Sequence, residues 1–284
     1  MNTLNNKVSI VINTYNNAQY LLKAVQSCLD QSYKNLEIII WDNCSTDNTK
    51  EKIEKLNSNL IKYYIANKHT NLYEARNLAS DEISGDYFCY LDADDEFLKN
   101  KIEVQLNILK SNNAQISYSN LFIKKNFKKE KLYFNKLQES GLIYNNLIKN
   151  YNICFNSILF SSEILNNYKF DNNLNILGDF DFVLKLSKKY KFIYNHMPLS
   201  IYNIHEKNFT NQNSEMHKNE IRYWFIKKKN YHEIKENKKF ILEQYQFIKK
   251  FNDLKKMNFL KLLTFLILHK KNKIFFRVVK NFLF

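Results

Sequence analysis

The stretch DYFCYLDADDEF, residues 86–97, sets a short apolar run directly before three carboxylates within four residues, Asp92, Asp94 and Asp95. Charges this close repel one another, so a cation or open water has to offset them. Read back toward the N-terminus, DYFCYL (86–91) is the fourth of a series. KVSIVIN (7–13) is a β-branched run, followed by an amphipathic stretch from Gln19 to Gln31 with Leu21, Leu22, Val25 and Leu29 at helical spacing. LEIIIW (36–41) precedes CSTDNTKEKIEKLN, where Ser45 or Thr46 can cap a helix and Asp47 suits its positive end. LIKYYIA (60–66) precedes NLYEARNLASDEIS (71–84), a helix that Gly85 breaks. This alternation predicts an α/β domain with a mainly parallel sheet flanked by helices.

Ligands of such sheets bind at the carboxyl ends of the strands. That rule gathers NTYNN, DNCSTD, NKHTN and DADDE at one rim, although they lie far apart in the chain. Beyond the helix read in 97–112, AQISYSNLFIKK and ICFNSILFS read as strands. GDFDFVLKLSKKY (178–190) reads as a helix starting at its aspartates, and KFIYNHMPLSIYNIH as extended chain ending at His205. We expect one domain over 1–215, with halves of about 1–110 and 111–215, and a basic helical extension over 216–284.

Charge divides along the same boundary. Residues 1–215 carry 25 Lys+Arg against 23 Asp+Glu, whereas residues 216–284 carry 18 against 5. An anionic partner for the tail follows. The apolar run within 257–284 is too short for a bilayer span, which needs roughly 20 residues. Its interleaving with Lys and Arg suits a helix lying on an anionic membrane surface. No nucleic-acid-binding signature is visible, so nucleic acid is the lesser expectation.

With only Gly85, Gly141 and Gly178, neither a dinucleotide-binding turn nor a P-loop can be built. A nucleoside diphosphate would have to be met by a metal or by side chains. Cys28, Cys44, Cys89 and Cys154 form no C-x-x-C pair, which argues against zinc and for a reducing cytoplasm. MNTLNNKVSIVINTY does not read as a signal peptide.

Asp92 and Asp94 flank Ala93, a spacing that can aim carboxylate oxygens at one hard cation such as Mg2+ or Mn2+. A solvated acidic turn is the plainer alternative. Asp42, directly after EIIIW, can accept an N–H from a base, with Thr14, Tyr15 and Asn16 beside it; Asx-type turns explain the same residues. Arg76 suits a diphosphate, an acidic rim residue or a solvated helix face.

SIVINTYNNAQYLLKAVQSCLDQSYKNLEIIIWDNCSTDNT, EARNLA and GDYFCYLDADD resemble, in order and spacing, the signatures of family 2 glycosyltransferases of the GT-A fold, of the bacterial surface-glycan type. The likeness covers about residues 7–110 and continues more weakly to about 210. It implies an inverting transfer from a UDP-sugar to an acceptor hydroxyl, assisted by Mn2+ or Mg2+. By that resemblance Asp42 reads the base, Asp92 lies near ribose and metal, Asp94 is the main metal ligand, and Asp95 supports the site. His205 resembles a position near diphosphate and metal. In LGDFDFVLKL, Asp179 falls on the family's catalytic base, with Gly178 in place of a Glu and Lys185 in place of an Arg. Asn13 stands where the family commonly has proline.

The expected protein is thus a glycosyltransferase acting on a lipid-linked or cell-surface glycan acceptor, cytoplasmic and peripheral on the inner face of the plasma membrane. A nucleotidyltransferase on a related sheet, or a non-enzymatic polyanion- or membrane-binding protein, is the alternative. The former lacks a Gly-rich triphosphate loop here, and the latter leaves the four rim clusters without a role.

Overall fold

The computed structural model describes residues 6–228 apart from 127, 207 and 210–212. The stretch 257–284 and most of the expected extension lie outside the described residues. The strands are β1 Val8–Thr14, β2 Leu36–Asp42, β3 Ile61–Ile65, β4 Tyr87–Tyr90, β5 Glu96–Phe97, β6 Ile116–Lys125, β7 Lys131–Leu132, β8 Ile158–Ser161 and β9 Phe192–Ile204. The helices are α1 Ala18–Leu29, α2 Thr49–Glu54, α3 Leu72–Ser80, α4 Lys101–Ser111, α5 Tyr144–Leu147, α6 Gly178–Leu186 and α7 Ser214–Lys228.

Among the described residues the strands form one sheet in the order β3-β2-β1-β4-β8-β6-β9-β5, with β7 on β6. β3, β2, β1 and β4 are parallel, as the alternation predicts. The pairs β4–β8, β8–β6, β6–β7 and β9–β5 are antiparallel. The described residues form two units. One takes those up to Ile143 together with Ile153–Asn203; the other takes Tyr144–Asn152 and those from Ile204 onward, including α7, where Trp224 is buried.

The period of two along β1 explains the layering of the first unit. Val8, Ile10 and Ile12 point with Ile38 and Ile40 of β2 into a core closed by Leu21, Val25 and Cys28 of α1 and Ile102, Leu106 and Leu109 of α4. Phe88 and Tyr90 pack among rings: Phe88 on Phe160 at 5.0 Å, and Tyr90 on Phe155 at 5.1 Å. Gly85 is required where it stands, because a Cβ there would lie 2.8 Å from the Lys7 carbonyl and from the Ser9 amide.

Three local expectations are corrected. Neither Ser45 nor Thr46 caps α2; both bond Asn16 across the rim, and Asp47 Oδ1 accepts from the Thr49 amide at 3.1 Å instead. Tertiary partners override the local capping preference. ICFNSILFS is a strand only over Ile158–Ser161, because Phe155–Ser157 turns as a 3-10 helix. The helix read from 97 begins at Lys101, since Glu96 and Phe97 pair with β9.

At the opposite end of the parallel strands, Glu37 is buried between Lys7 and Lys62, each 2.7 Å away, and accepts from Ser9 and Ser84. Burial pushes its carboxyl up, but these partners outweigh burial and hold it down at about 2 against an ordinary 4.5. A depressed folded value stabilises above the unfolded value and is lost as pH falls. Glu37→Gln should therefore lower the melting temperature at pH 7. The gap from wild type should be full above pH 4.5 and close as pH approaches about 2, as thermal melts across that range will read out.

Candidate active site

The rim is assembled by side chains reaching between loops. Thr14 ends β1 in register with Asp42 at the end of β2, and the Thr14 carbonyl accepts from the Asn43 amide at 2.9 Å. Asn16, at a left-handed φ of 47°, accepts from the Thr46 amide at 2.7 Å, and its own amide donates to Ser45 Oγ at 2.9 Å. Asn43 exchanges bonds with Thr70, and His69 Nδ1 donates to the Asn43 carbonyl at 2.9 Å. Three of the four expected clusters are thereby tied together.

Asp42 is buried, and both of its oxygens have partners: Oδ1 accepts from the Ser45 amide at 2.7 Å, and Oδ2 from the Tyr63 hydroxyl. Burial, followed by the Asp42 carboxylate, pushes the Tyr63 hydroxyl well above its ordinary range, so it stays a donor. Tyr15 is half exposed, with its ring 4.2 Å from that of His69. These two rings form an open aromatic face beside Asp42.

The fourth cluster answers the repulsion problem by giving each carboxylate a different setting. The chain turns tightly, with the Asp95 amide donating to the Asp92 carbonyl at 3.0 Å. Asp95 is buried and accepts from Asn156 Nδ2 at 2.6 Å and from the Asn203 amide at 2.9 Å. Burial first, then the charges of Asp94 and Asp92, push its carboxyl well up. Asn203 Nδ2 also donates to the Asp94 carbonyl at 2.8 Å. Asp95 and Asn203 thus fix the turn from below, leaving Asp92 and Asp94 partly exposed above.

Asp92 Oδ1 lies 2.5 Å from Arg76 Nη2. Of the three settings open to Arg76, the structure has the acidic rim residue. The guanidinium is buried, 4.8 Å from the Phe155 ring centroid, 5.2 Å from Tyr73 and 5.5 Å from Tyr90. Burial opposes its charge, but Asp92 and its other neighbours outweigh that and raise its pKa, so it remains a cation.

Among the described residues no three or more His, Cys, Asp and Glu side chains group to hold a metal ion. Mg2+-type ions, however, are usually held by one or two carboxylates plus substrate phosphate oxygens and water. Asp92 and Asp94, partly exposed on a fixed turn, suit that donor set. His205 belongs to the second unit, where its amide donates to Asn208 Oδ1 at 2.6 Å.

Asp179 stands in the first turn of α6, partly exposed, with Oδ1 accepting from the Phe180 amide at 2.6 Å. The Tyr73 hydroxyl lies 3.4 Å from the same oxygen. Asp181 is buried and paired with Lys185 at 2.5 Å. Sequence reading missed His69, Tyr63 and Tyr73. NKHTN marks His69 as a rim residue, whereas Tyr63 and Tyr73 occupy ordinary apolar positions of a strand and a helix and carry no signal.

Known proteins share this fold. Over 120 residues the chain is 38% identical to the UDP-Glc:alpha-D-GlcNAc-diphosphoundecaprenol beta-1,3-glucosyltransferase WfaP of Escherichia coli, covering 42% of this chain. The match spans 48% of WfaP, about half its length. Staphylococcus aureus TarS 1-349 in complex with UDP-GlcNAc superposes with a TM-score of 0.66 at 18% identity, over 85% of this chain and 72% of that one. The mannosyltransferase PcManGT of Pyrobaculum calidifontis, in complex with GDP-Man and Mn2+, gives 0.63 at 13%, over 93% and 75%. Both likenesses bear out the GT-A sheet. Residues 9–169, more than half the chain, match the model described as Glycosyl transferase family 2, and the chain belongs to that family.

Proposed function

We propose that the protein is an inverting glycosyltransferase that moves a sugar from a UDP-sugar to a hydroxyl of a lipid-linked or cell-surface glycan. The observation that carries this reading is the chain of contacts from the acidic turn to the α6 carboxylate: Asp92 to Arg76, Arg76 to the Tyr73 ring, and the Tyr73 hydroxyl to Asp179. It joins a donor-side turn to a candidate base within one unit of the fold. The names of WfaP, which acts from UDP-Glc on a diphosphoundecaprenol-linked sugar, and of TarS with UDP-GlcNAc supply the donor and acceptor classes.

In this reading the base of the donor lies on the Tyr15–His69 face. Asp42, braced by Tyr63 and Ser45, is within the same cluster to receive the imide N–H, with Thr14 and Asn16 shaping the edge. Asp92 and Asp94 would hold Mn2+ or Mg2+, which when bound would supply charge neutralisation for a departing diphosphate. Arg76 keeps Asp92 oriented. Asp179 accepts the proton of the acceptor hydroxyl as its oxygen attacks the anomeric carbon, and the amide dipoles at the start of α6 favour its ionised form. The basic segment 216–284 holds the enzyme at an anionic membrane surface on the cytoplasmic side, close to a lipid-carried acceptor.

Three measurements test this. Release of UDP from a panel of UDP-sugars should depend on Mn2+ or Mg2+ and stop with EDTA, and Asp94→Asn should lower it by about a hundredfold or more. Absence of both release and UDP binding with Mn2+ present would remove the rim assignment. Asp179→Asn should cut transfer to acceptor by about 10²–10⁴-fold while UDP binding survives. Deleting 257–284 should abolish transfer to lipid acceptors yet spare soluble mimics; equal loss on both would refute the membrane role of the tail.

A further inference from the structure

We propose that Tyr73 is the positioning residue for Asp179, and that Gly178 is bare because the Tyr73 ring occupies the space of its side chain. This rests on the reading of Asp179 as the base. A Cβ built on Gly178 would lie 2.4 Å from two ring atoms of Tyr73 and 2.6 Å from a third. Real Cβ atoms do not approach that closely, so Gly178 and Tyr73 are a matched pair: one residue has given up its side chain so that the other can lie flat against its Cα.

The ring cannot move aside. Tyr73 is buried, 5.4 Å from Phe170, and carried on the first turn of α3. That turn is capped by Asn71, whose side-chain oxygen accepts from the Tyr73 amide at 3.1 Å and the Glu74 amide at 2.9 Å. The same helix start clasps the loop leading to Asp179: Asn71 Nδ2 donates to the Asn172 carbonyl at 2.5 Å, and the Leu72 amide to Asn175 Oδ1 at 2.8 Å. The Tyr73 hydroxyl then donates to the Ile176 carbonyl at 3.1 Å and faces Asp179 Oδ1 at 3.4 Å. The single O–H of the phenol therefore lies between two acceptors, the Ile176 carbonyl two residues before α6 and the Asp179 carboxylate in its first turn, and is shared by them. Because the ring also touches Arg76, the partner of Asp92, the Asp179 carboxylate is referenced to the donor turn through a single rigid side chain.

A residue acting this way sets geometry without binding the donor. In the full-length protein, Tyr73→Phe keeps the ring and its fit on Gly178 and removes only the hydroxyl. We expect kcat for transfer to acceptor to fall about tenfold to a hundredfold, with the KM for the UDP-sugar and the melting temperature unchanged. An unchanged kcat overturns the proposal, as does a rise in KM at constant kcat. Gly178→Ala should lower both melting temperature and kcat by driving a methyl into the ring. Combining it with Tyr73→Ala, which removes the Cγ and Cδ atoms that the methyl meets, should cost less melting temperature than the two single substitutions added together while kcat stays low, and recovery of kcat to the wild-type value would also overturn the proposal. Asp179→Asn in the same assay separates the two ideas. If it transfers sugar at the wild-type rate, the base assignment has failed and this inference with it. If it is impaired and Tyr73→Phe is not, only the positioning role has failed.

Discussion

Asp92 lies 2.5 Å from a guanidinium that the fold has buried among the rings of Tyr73, Tyr90 and Phe155, and the rest of the rim is arranged around that contact. Burying an arginine is costly unless its charge is answered. Here aromatic faces answer one side and a carboxylate the other. Arg76 comes from α3, Asp92 from the turn after β4, and Phe155 from the segment before β8. The buried guanidinium therefore fastens the parallel half of the sheet, through Asp92, to the segment before the first antiparallel strand, through the Phe155 ring.

Asp95 performs the complementary task from beneath. Its two asparagine partners come from the 3-10 turn before β8 and from β9. A carboxylate in that position is held by hydrogen bonds rather than by a cation, which frees neighbouring Asp92 and Asp94 to remain at the surface. The acidic turn is thus divided into a buried anchor, an arginine-paired residue and a partly exposed residue. Three carboxylates can stand within four positions because no two of them share an environment.

Much of this was legible in the sequence. The β-branched runs at 7–13, 36–41 and 60–66, each followed by a helical pattern, predicted the parallel strands, and the rule of carboxyl ends predicted which loops meet. The resemblance in GDYFCYLDADD and EARNLA led to the family. The antiparallel half was less legible: β8 is four residues long and is preceded by a 3-10 turn that no periodicity announces. The partners that make the site rigid were hidden for a different reason. Tyr63 and Tyr73 are apolar-pattern residues in a strand and a helix, and only folding reveals that their hydroxyls reach Asp42 and Asp179. Ser45 and Thr46 were assigned to a cap because local preference favours it, yet Asn16, about thirty positions away, outcompetes the helix for them.

The scarcity of glycine ties these features together. A rim that cradles phosphate on bare backbone needs residues free to adopt left-handed conformations and close approach. This chain places Asn16 and Cys44 at φ of 47° and 68° in the rim, and three other asparagines at positive φ elsewhere. Asparagine tolerates that region through its own local hydrogen bonding, but it also brings a side chain. At Asn16 that side chain is used at once, bridging the loops after β1 and β2. The loops after β1, β2 and β3 are therefore tied to one another largely by side-chain bonds. The acidic turn ordered by Arg76, and not a glycine loop, is therefore the charged feature that this rim presents.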